Sequence, residues 1–418
     1  MPSRPEPLAP AERVMTIDVI RGFALLGILG PNILAFAWPS AAQYAPQVIG
    51  LTLELTSGAD VHERANHIAH RIVQILFHGK MMALFSMLFG AGVLMYARKF
   101  ERDADSPPKL SAGAALWYTR CAWLLVIGLV HAFAFWYGDI LVWYAITGMG
   151  ALWWIRRLSP VWQIAIAVAA YLLGTCSLTG FMLLGLRYQG AEAMLGDYAG
   201  ETAAYTGAYI DMLAVRAQQL LLTYVFLLPM GFFFSLTGLM SLGMALTRLG
   251  VLTGERSDRF YVVMAVGGLT LGLSLTIGLL ALLERTLELP GFIFLGSGQL
   301  VGIPTALGYA AVLALLVRRG WLRPVTYALA CVGRMALSNY LLQTLLCTTI
   351  FYSYGLGLFG RVQYPELWLV VIGVWAVNIV FSLLWLRVFR YGPAEWLWRS
   401  LTYLRPQPMR LAPARSPE

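Results

Sequence analysis

Charge is scarce in this sequence. Of 418 residues only 12% are Asp, Glu, Lys or Arg, and histidine occurs five times. So little polar surface cannot coat a water-soluble globule of this length, which excludes that class of fold. Cysteine is scarce too: Cys121, Cys176, Cys331 and Cys347 lie inside apolar runs and form no CxxC pair, so neither a zinc site nor a disulfide framework is indicated. No internal repeat is evident, which speaks against an inverted-repeat transporter. What is present is apolar. Hydrophobic residues make up 59% of the chain and mean hydropathy is +0.68, the composition of an all-α polytopic integral membrane protein. The formal charge of +9 does not imply a nucleic-acid partner, because Lys and Arg fall mainly in short connections between apolar runs.

Apolar runs bounded by charges or proline predict about ten spans, near 15–38, 71–97, 112–136, 138–155, 161–186, 218–246, 260–283, 291–317, 326–355 and 366–389. The first is too long, and its charges are wrongly placed, for a cleaved signal peptide. Alternate connections are basic, notably Arg98 to Lys109, Arg156–Arg157, Arg248 to Arg259, Arg318 to Arg323 and the tail from Arg399. The positive-inside rule puts these, and both termini, in the cytoplasm. The chain reads as one membrane domain, with five spans in 15–186, five in 218–403, and a basic tail over 404–418 that is expected to be disordered. Two connections on the other face, 39–70 and 187–217, exceed ordinary loop length and predict interfacial helices or a lid.

The first span, MTIDVIRGFALLGILGPNILAFAW, carries Asp18, Arg21 and Asn32, groups that hydrocarbon penalises by kilocalories each. At about 100° per residue, Arg21 and Asn32 lie within about 20° of each other and Asp18 within about 60° of both, so one helix face is polar. Arg21 and Asn32 are about 16 Å apart along the axis, roughly half the hydrocarbon thickness. That stripe must face protein or a watery cavity. A salt bridge of Arg21 with Asp18 is the plain alternative to a ligand-binding role.

Three further constellations carry chemistry. In GLVHAFAFWYGDILVWYAITG, His131 ends one span and Asp139 opens the next, with Gly138 allowing the reversal. A carboxylate that orients an imidazole makes a general base; an interfacial histidine beside a helix-capping aspartate is the structural alternative. In CVGRMALSNYLLQT, Arg334 lies at the depth of Arg21, and Asn339 and Gln343 share a face. Two buried guanidiniums there want anions, either Asp18 or the phosphates of a cofactor. Lys80, inside the second span, needs a partner, and Asp139 is the expected one. His62, His67, His70 and His78 lack a completing carboxylate and are spaced too widely for paired ligands, so no metal is expected.

These residues carry a family resemblance. IDVIRGFALLGILGPNILAF, LFSMLFGAG, GLVHAFAFWYGDILVWYA, CVGRMALSNYLLQT and YGPAEWLWRSLTY resemble the YeiB-like bacterial inner-membrane proteins along nearly the whole chain. That family is similar in turn to the transmembrane acyltransferase superfamily, which includes heparan-α-glucosaminide N-acetyltransferase and the bacterial glycan O-acyltransferases. The resemblance implies a cytosolic acyl-CoA donor and maps the superfamily's first-helix Arg and its partner eleven positions on to Arg21 and Asn32. The O-acyltransferases place a histidine base at the second position; this chain has Asn32, which can donate to an oxyanion but cannot act as base. The base is then sought in His131 backed by Asp139, with His70 second. The resulting expectation is an enzyme that moves an acyl group from acyl-CoA, bound by Arg21, Arg334 and Asn339, to a hydroxyl or amine acceptor across the bilayer. The rival is a transporter or channel using Asp18, Arg21, Lys80 and Arg334 as an ion or solute path. The acceptor, the acyl chain and a homodimer are left open.

Overall fold

The computed structural model describes residues 14–43, 61–101, 108–286 and 290–411. The fold is an all-α, multi-pass membrane protein. Among the described residues seven helices are long and apolar enough to cross a bilayer, and each overlaps an expected span. They are not equivalent. The helix α1 (Met15–Ala37) is 78% buried over its apolar window, whereas α11 (Asp258–Thr286) is 22% buried. The first therefore belongs to the protein interior and the second to the lipid-facing rim, which is why α1 tolerates a polar stripe.

The other three expected spans are interrupted. At 138–155 the chain forms α5 (Leu141–Thr147), a π turn over Gly148–Leu152 and α6 (Trp153–Ile155). The 218–246 span is α9 (Tyr209–Leu222) running through a π segment, Thr223–Phe232, into α10 (Phe233–Arg248), bent where Gly231 takes φ 155°. The 326–355 span breaks at Met335 into α13 (Arg323–Arg334) and α14 (Ala336–Phe351). Expected span 71–97 starts earlier and is itself broken. Its parts are α2 (Val61–Leu76) and α3 (Lys80–Glu101), parted at 77–79, where Gly79 takes φ +74°. Broken helices at membrane depth survive where they line cavities or are covered by protein.

The remaining elements are α4 (Pro108–Ala134), α7 (Pro160–Leu195), α8 (Tyr198–Thr206), α12 (Pro290–Arg319), α15 (Tyr364–Trp385) and α16 (Pro393–Thr402). The 187–217 connection thus folds into short helices. Its Glu201 ties α8 to the end of α1 by accepting from Ser40 N at 3.0 Å, Ser40 Oγ at 2.7 Å and Gln219 Nε2 at 2.9 Å. Of the 39–70 connection, residues 44–60 lie outside the described part. At the arginine-rich end the loops lock together: Arg248 donates to Leu158 O at 2.8 Å and to Arg156 O, while Arg318 and Arg319 share Asp258 at 2.9 and 2.6 Å. Of the tail 404–418, residues 412–418 lie outside the described part. Residues 404–411 fold back, with a bridge between Phe389 and Arg410 and Trp396 Nε1 donating to Gln407 O at 2.7 Å.

Close helix contacts rest on glycine. Gly22 of α1 lies against the Leu329 carbonyl of α13, and Gly333 of α13 against the Asp18 carbonyl, so a Cβ at either would strike backbone. Gly90 with Met240 and Gly243 with Met87 bring α3 onto α10 in the same way. Small residues at such crossings let backbones approach and gain dispersion contact, the main attraction available between helices in lipid.

Candidate functional site

Two cavities lie end to end inside the helix bundle. The first, about 280 Å³, reaches Val14 and Tyr403 at the arginine-rich end. Four guanidiniums line it, those of Arg21, Arg120, Arg334 and Arg399, against the carboxylates of Asp18 and Glu395. Both carboxylates are already engaged. Asp18 Oδ1 accepts from Arg21 at 2.9 Å, so the expected salt bridge forms, yet both partners remain in the cavity wall. Glu395 caps α14, accepting from Leu337 N at 2.6 Å, from Ser338 N at 3.2 Å and from the Ser338 hydroxyl. Burial pushes the Glu395 carboxyl above the usual carboxylate range, against these hydrogen bonds, which reduces its value as a counter-charge. Arg334 Nε is buried without a hydrogen-bond partner. The cavity therefore holds surplus positive charge.

Residues far apart in sequence assemble this wall. Contact of Gly22 with α13 and of Gly333 with α1 sets Arg21 and Arg334 side by side on adjoining helices. The fold-back of α16 supplies Glu395, Trp398 and Arg399. Trp398 Nε1 donates to Arg120 O at 2.8 Å, and the Arg120 guanidinium lies 3.6 Å from the Trp398 ring centroid, a cation–π contact that holds it in place. Arg399 lies 4.5 Å from the Tyr391 ring centroid. Sequence reasoning missed Arg120 and assigned Arg399 only to a basic tail. The signal for Arg120 was present, an arginine inside an apolar span, as for Arg21.

The second cavity, about 260 Å³, reaches Gln43 and Tyr364 at the opposite end. Its polar lining includes Asn32, Gln43, His70, Gln74, His78, Asp139, Thr223 and Gln299. The break between α2 and α3 opens the helix here and turns His78 inward. His70 Nδ1, Gln74 Oε1 and His78 Nε2 are buried without hydrogen-bond partners, an arrangement that suits a polar ligand. Aromatic rings of Phe77, Trp136, Tyr137, Trp143 and Tyr364 complete the wall.

His131 and Asp139 meet as expected, with Nδ1 2.7 Å from Asp139 Oδ2. Their order relative to the cavity is the reverse of the expected one. Asp139 lines the cavity, while His131 lies behind it, its Nε2 2.9 Å from Thr344 Oγ1. Both imidazole nitrogens are thus occupied. The other Asp139 oxygen accepts from Val142 N at 2.8 Å and caps α5. Lys80 departs from expectation: its ammonium donates to Gln74 O at 2.8 Å, and it forms no ion pair with Asp139. Asn339 also lies elsewhere. Fully buried, it donates to Val332 O at 3.2 Å and Ser382 Oγ at 2.8 Å, tying α14 to α13 and α15 rather than lining a cavity.

Ile28, Ile140 and Tyr340 line both cavities. Along α1 the order is Arg21 and Leu25 in the arginine-lined cavity, Ile28 in both, Asn32 in the other. Along α3, Met82 faces the second cavity and Phe85 the first. The two spaces are therefore stacked along the membrane normal with a thin wall between them.

A family model described as "Protein of unknown function (DUF418)" matches residues 246–405. The uncharacterized protein YeiB of Escherichia coli (strain K12) is 34% identical over 94% of this chain and 96% of its own length. The uncharacterized protein YxaH of Bacillus subtilis (strain 168) is 32% identical over 97% of this chain and 98% of its own. An uncharacterized 39.9 kDa protein of Bacillus acidopullulyticus is 27% identical over 97% of this chain.

Proposed function

Since the chain belongs to the YeiB family, we propose that its activity is the transfer of an acyl group from cytosolic acyl-CoA to a hydroxyl or amine acceptor on the far side of a bacterial inner membrane. The observation that carries this reading is the pair of stacked cavities, one lined by four arginines and one by Asn32, His70 and Asp139. The positive-inside rule sets the arginine-rich end in the cytoplasm, where the donor is. Surplus guanidinium charge suits the phosphates of CoA, and the roughly 16 Å rise from Arg21 to Asn32 matches a threaded pantetheine arm. The Arg21 and Asn32 pattern is similar to the first-helix pattern of the transmembrane acyltransferases.

The chemistry follows from which groups reach the second cavity. His131 has both nitrogens taken and no cavity face, so the base role falls to His70: its Nε2 lies 3.3 Å from the Gln74 amide, and with Nε2–H donating to that amide's oxygen the unpartnered Nδ1 is the nitrogen that accepts. The acceptor's O–H or N–H proton passes to His70 as the acceptor atom bonds to the thioester carbonyl carbon. Asn32 donates its amide N–H to the developing oxyanion. The C–S bond then breaks, and the CoA thiolate leaves toward the arginine-lined cavity. Asp139, held by His131 and Val142, orients the acceptor.

Binding of acetyl-CoA and longer acyl-CoAs to the purified protein in nanodiscs tests this reading. Losing a charge-assisted contact of about 1.5–3 kcal/mol weakens binding by about 10- to 100-fold, so Arg120→Ala and Arg334→Ala should each show a loss in that range. Absence of binding by the wild type to every acyl-CoA overturns the proposal.

A further inference from the structure

Nothing above assigns a role to the wall between the cavities, and that wall is one side chain thick. Four elements reach it. On α1 it falls at Ile28, on α3 between Met82 and Phe85, at the α4–α5 corner at Ile140, and on α14 at Tyr340. Among the described residues only Ile28, Ile140 and Tyr340 touch both spaces, and Tyr340 has the largest of these side chains. It is buried, and its hydroxyl accepts from Ile140 N at 3.3 Å, so two of the three wall residues are bonded to one another. Its ring lies 5.1 Å, centroid to centroid, from that of His131. His131 is pinned in turn by Asp139 and Thr344. The buried His131 cluster thus braces the tyrosine from behind.

We propose that Tyr340, with Ile28 and Ile140, is the partition that keeps the two compartments separate, and that Tyr340 is the specificity-determining residue for the size of the group that passes between them. A planar ring held at its hydroxyl and against a fixed imidazole cannot swing aside without breaking the Ile140 contact. The remainder of the shared wall is two branched aliphatic chains, Ile28 and Ile140. A slender, flexible group that displaces such side chains can pass between them and a hydrated ion cannot, because they offer no polar atoms to replace its water. The role holds whether the passing group is an acyl chain or a transported solute, so it stands apart from the activity proposed above.

Cysteine accessibility tests this directly. In a protein whose four native cysteines are replaced by alanine, Asn32→Cys reports on the second cavity. A membrane-impermeant methanethiosulfonate is added to either side of oriented proteoliposomes. With Tyr340 present, labelling is expected from the side opposite the arginine-rich end only. Tyr340→Ala is expected to raise labelling from the arginine-rich side by about tenfold or more, with Tyr340→Phe, which keeps the ring but loses its hold on Ile140 N, raising it much less. If Tyr340→Ala does not fold, Ile28→Ala thins the same wall from α1 and is held to the same outcome. Equal labelling from both sides with Tyr340 in place, labelling from neither side, or no change in a folded wall variant overturns the proposal.

Discussion

At the scale of single residues, the chain carries intramembrane charges of two kinds, and their surroundings tell them apart. The guanidiniums of Arg21, Arg120, Arg334 and Arg399 converge on one cavity, where an anionic ligand would complete them. Lys80 is enclosed, fully buried, with a single main-chain acceptor from Gln74. Burying a cation with one neutral partner costs more than the hydrogen bond returns. Lys80→Met, similar in length, is therefore expected to melt in detergent at or above the wild-type temperature. A clear fall in Tm would mean that Lys80 is stabilised by a bound anion carried through purification. The sequence made the His131–Asp139 contact legible, because Gly138 lets two adjacent span ends meet and only a short loop separates them. It could not show which of the pair faces the cavity, since that depends on Thr344, more than two hundred positions away. Arg120 was hidden for a similar reason. Its stacking partner Trp398 is brought to it only by the fold-back of α16.

At the scale of elements, the arginine-lined cavity is built on one close crossing and one cap. Gly22 and Gly333 let α1 and α13 touch backbone to backbone, and Arg334 follows Gly333 directly. Gly22→Ala places a methyl group onto the Leu329 carbonyl, which cannot yield as a side chain would. Overpacking of this kind costs about 1–3 kcal/mol, and it should weaken acyl-CoA binding by separating Arg21 from Arg334. Gly180→Ala is the control, since a Cβ there meets open space and a mid-helix alanine is favoured by about 1 kcal/mol. Thermal unfolding of the two variants in one detergent checks the contrast. The cap is Glu395. Glu395→Ala strips acceptors from the Leu337 and Ser338 N–H groups and should cost about 1–3 kcal/mol, whereas Glu395→Gln keeps an acceptor oxygen and should lose much less. Element by element, the long apolar spans were legible because hydropathy over about twenty residues overrides local detail. The breaks were not. Those at 77–79, Gly231 and Met335 fall beside His78 and Lys80, Pro229, and Arg334, but Arg120 and Pro304 sit inside unbroken helices, so only tertiary packing shows which such residues break a span.

At the scale of the whole molecule, the arginine asymmetry and the cavity asymmetry coincide. The loops around Arg156, Arg248, Arg256 and Arg318 close one end of the bundle, and the four-arginine cavity opens toward that same end. The positive-inside rule concerns insertion and knows nothing of a ligand, so the agreement is a constraint on function rather than a consequence of it. An acyl-CoA donor exists only on the cytoplasmic side, and a cavity for it must face that way. Sidedness is therefore decisive for the proposed activity. In cells expressing single-cysteine variants, Tyr209→Cys on α9 should react with an impermeant maleimide from outside, because α9 belongs to the end opposite the arginines and Tyr209 is exposed. Arg256→Cys should react only after the inner membrane is permeabilised. The reverse pattern would turn the arginine-lined cavity away from the cytoplasm, where no acyl-CoA reaches it, and acyl transfer would have to give way to a carrier that collects an anion from outside the cell.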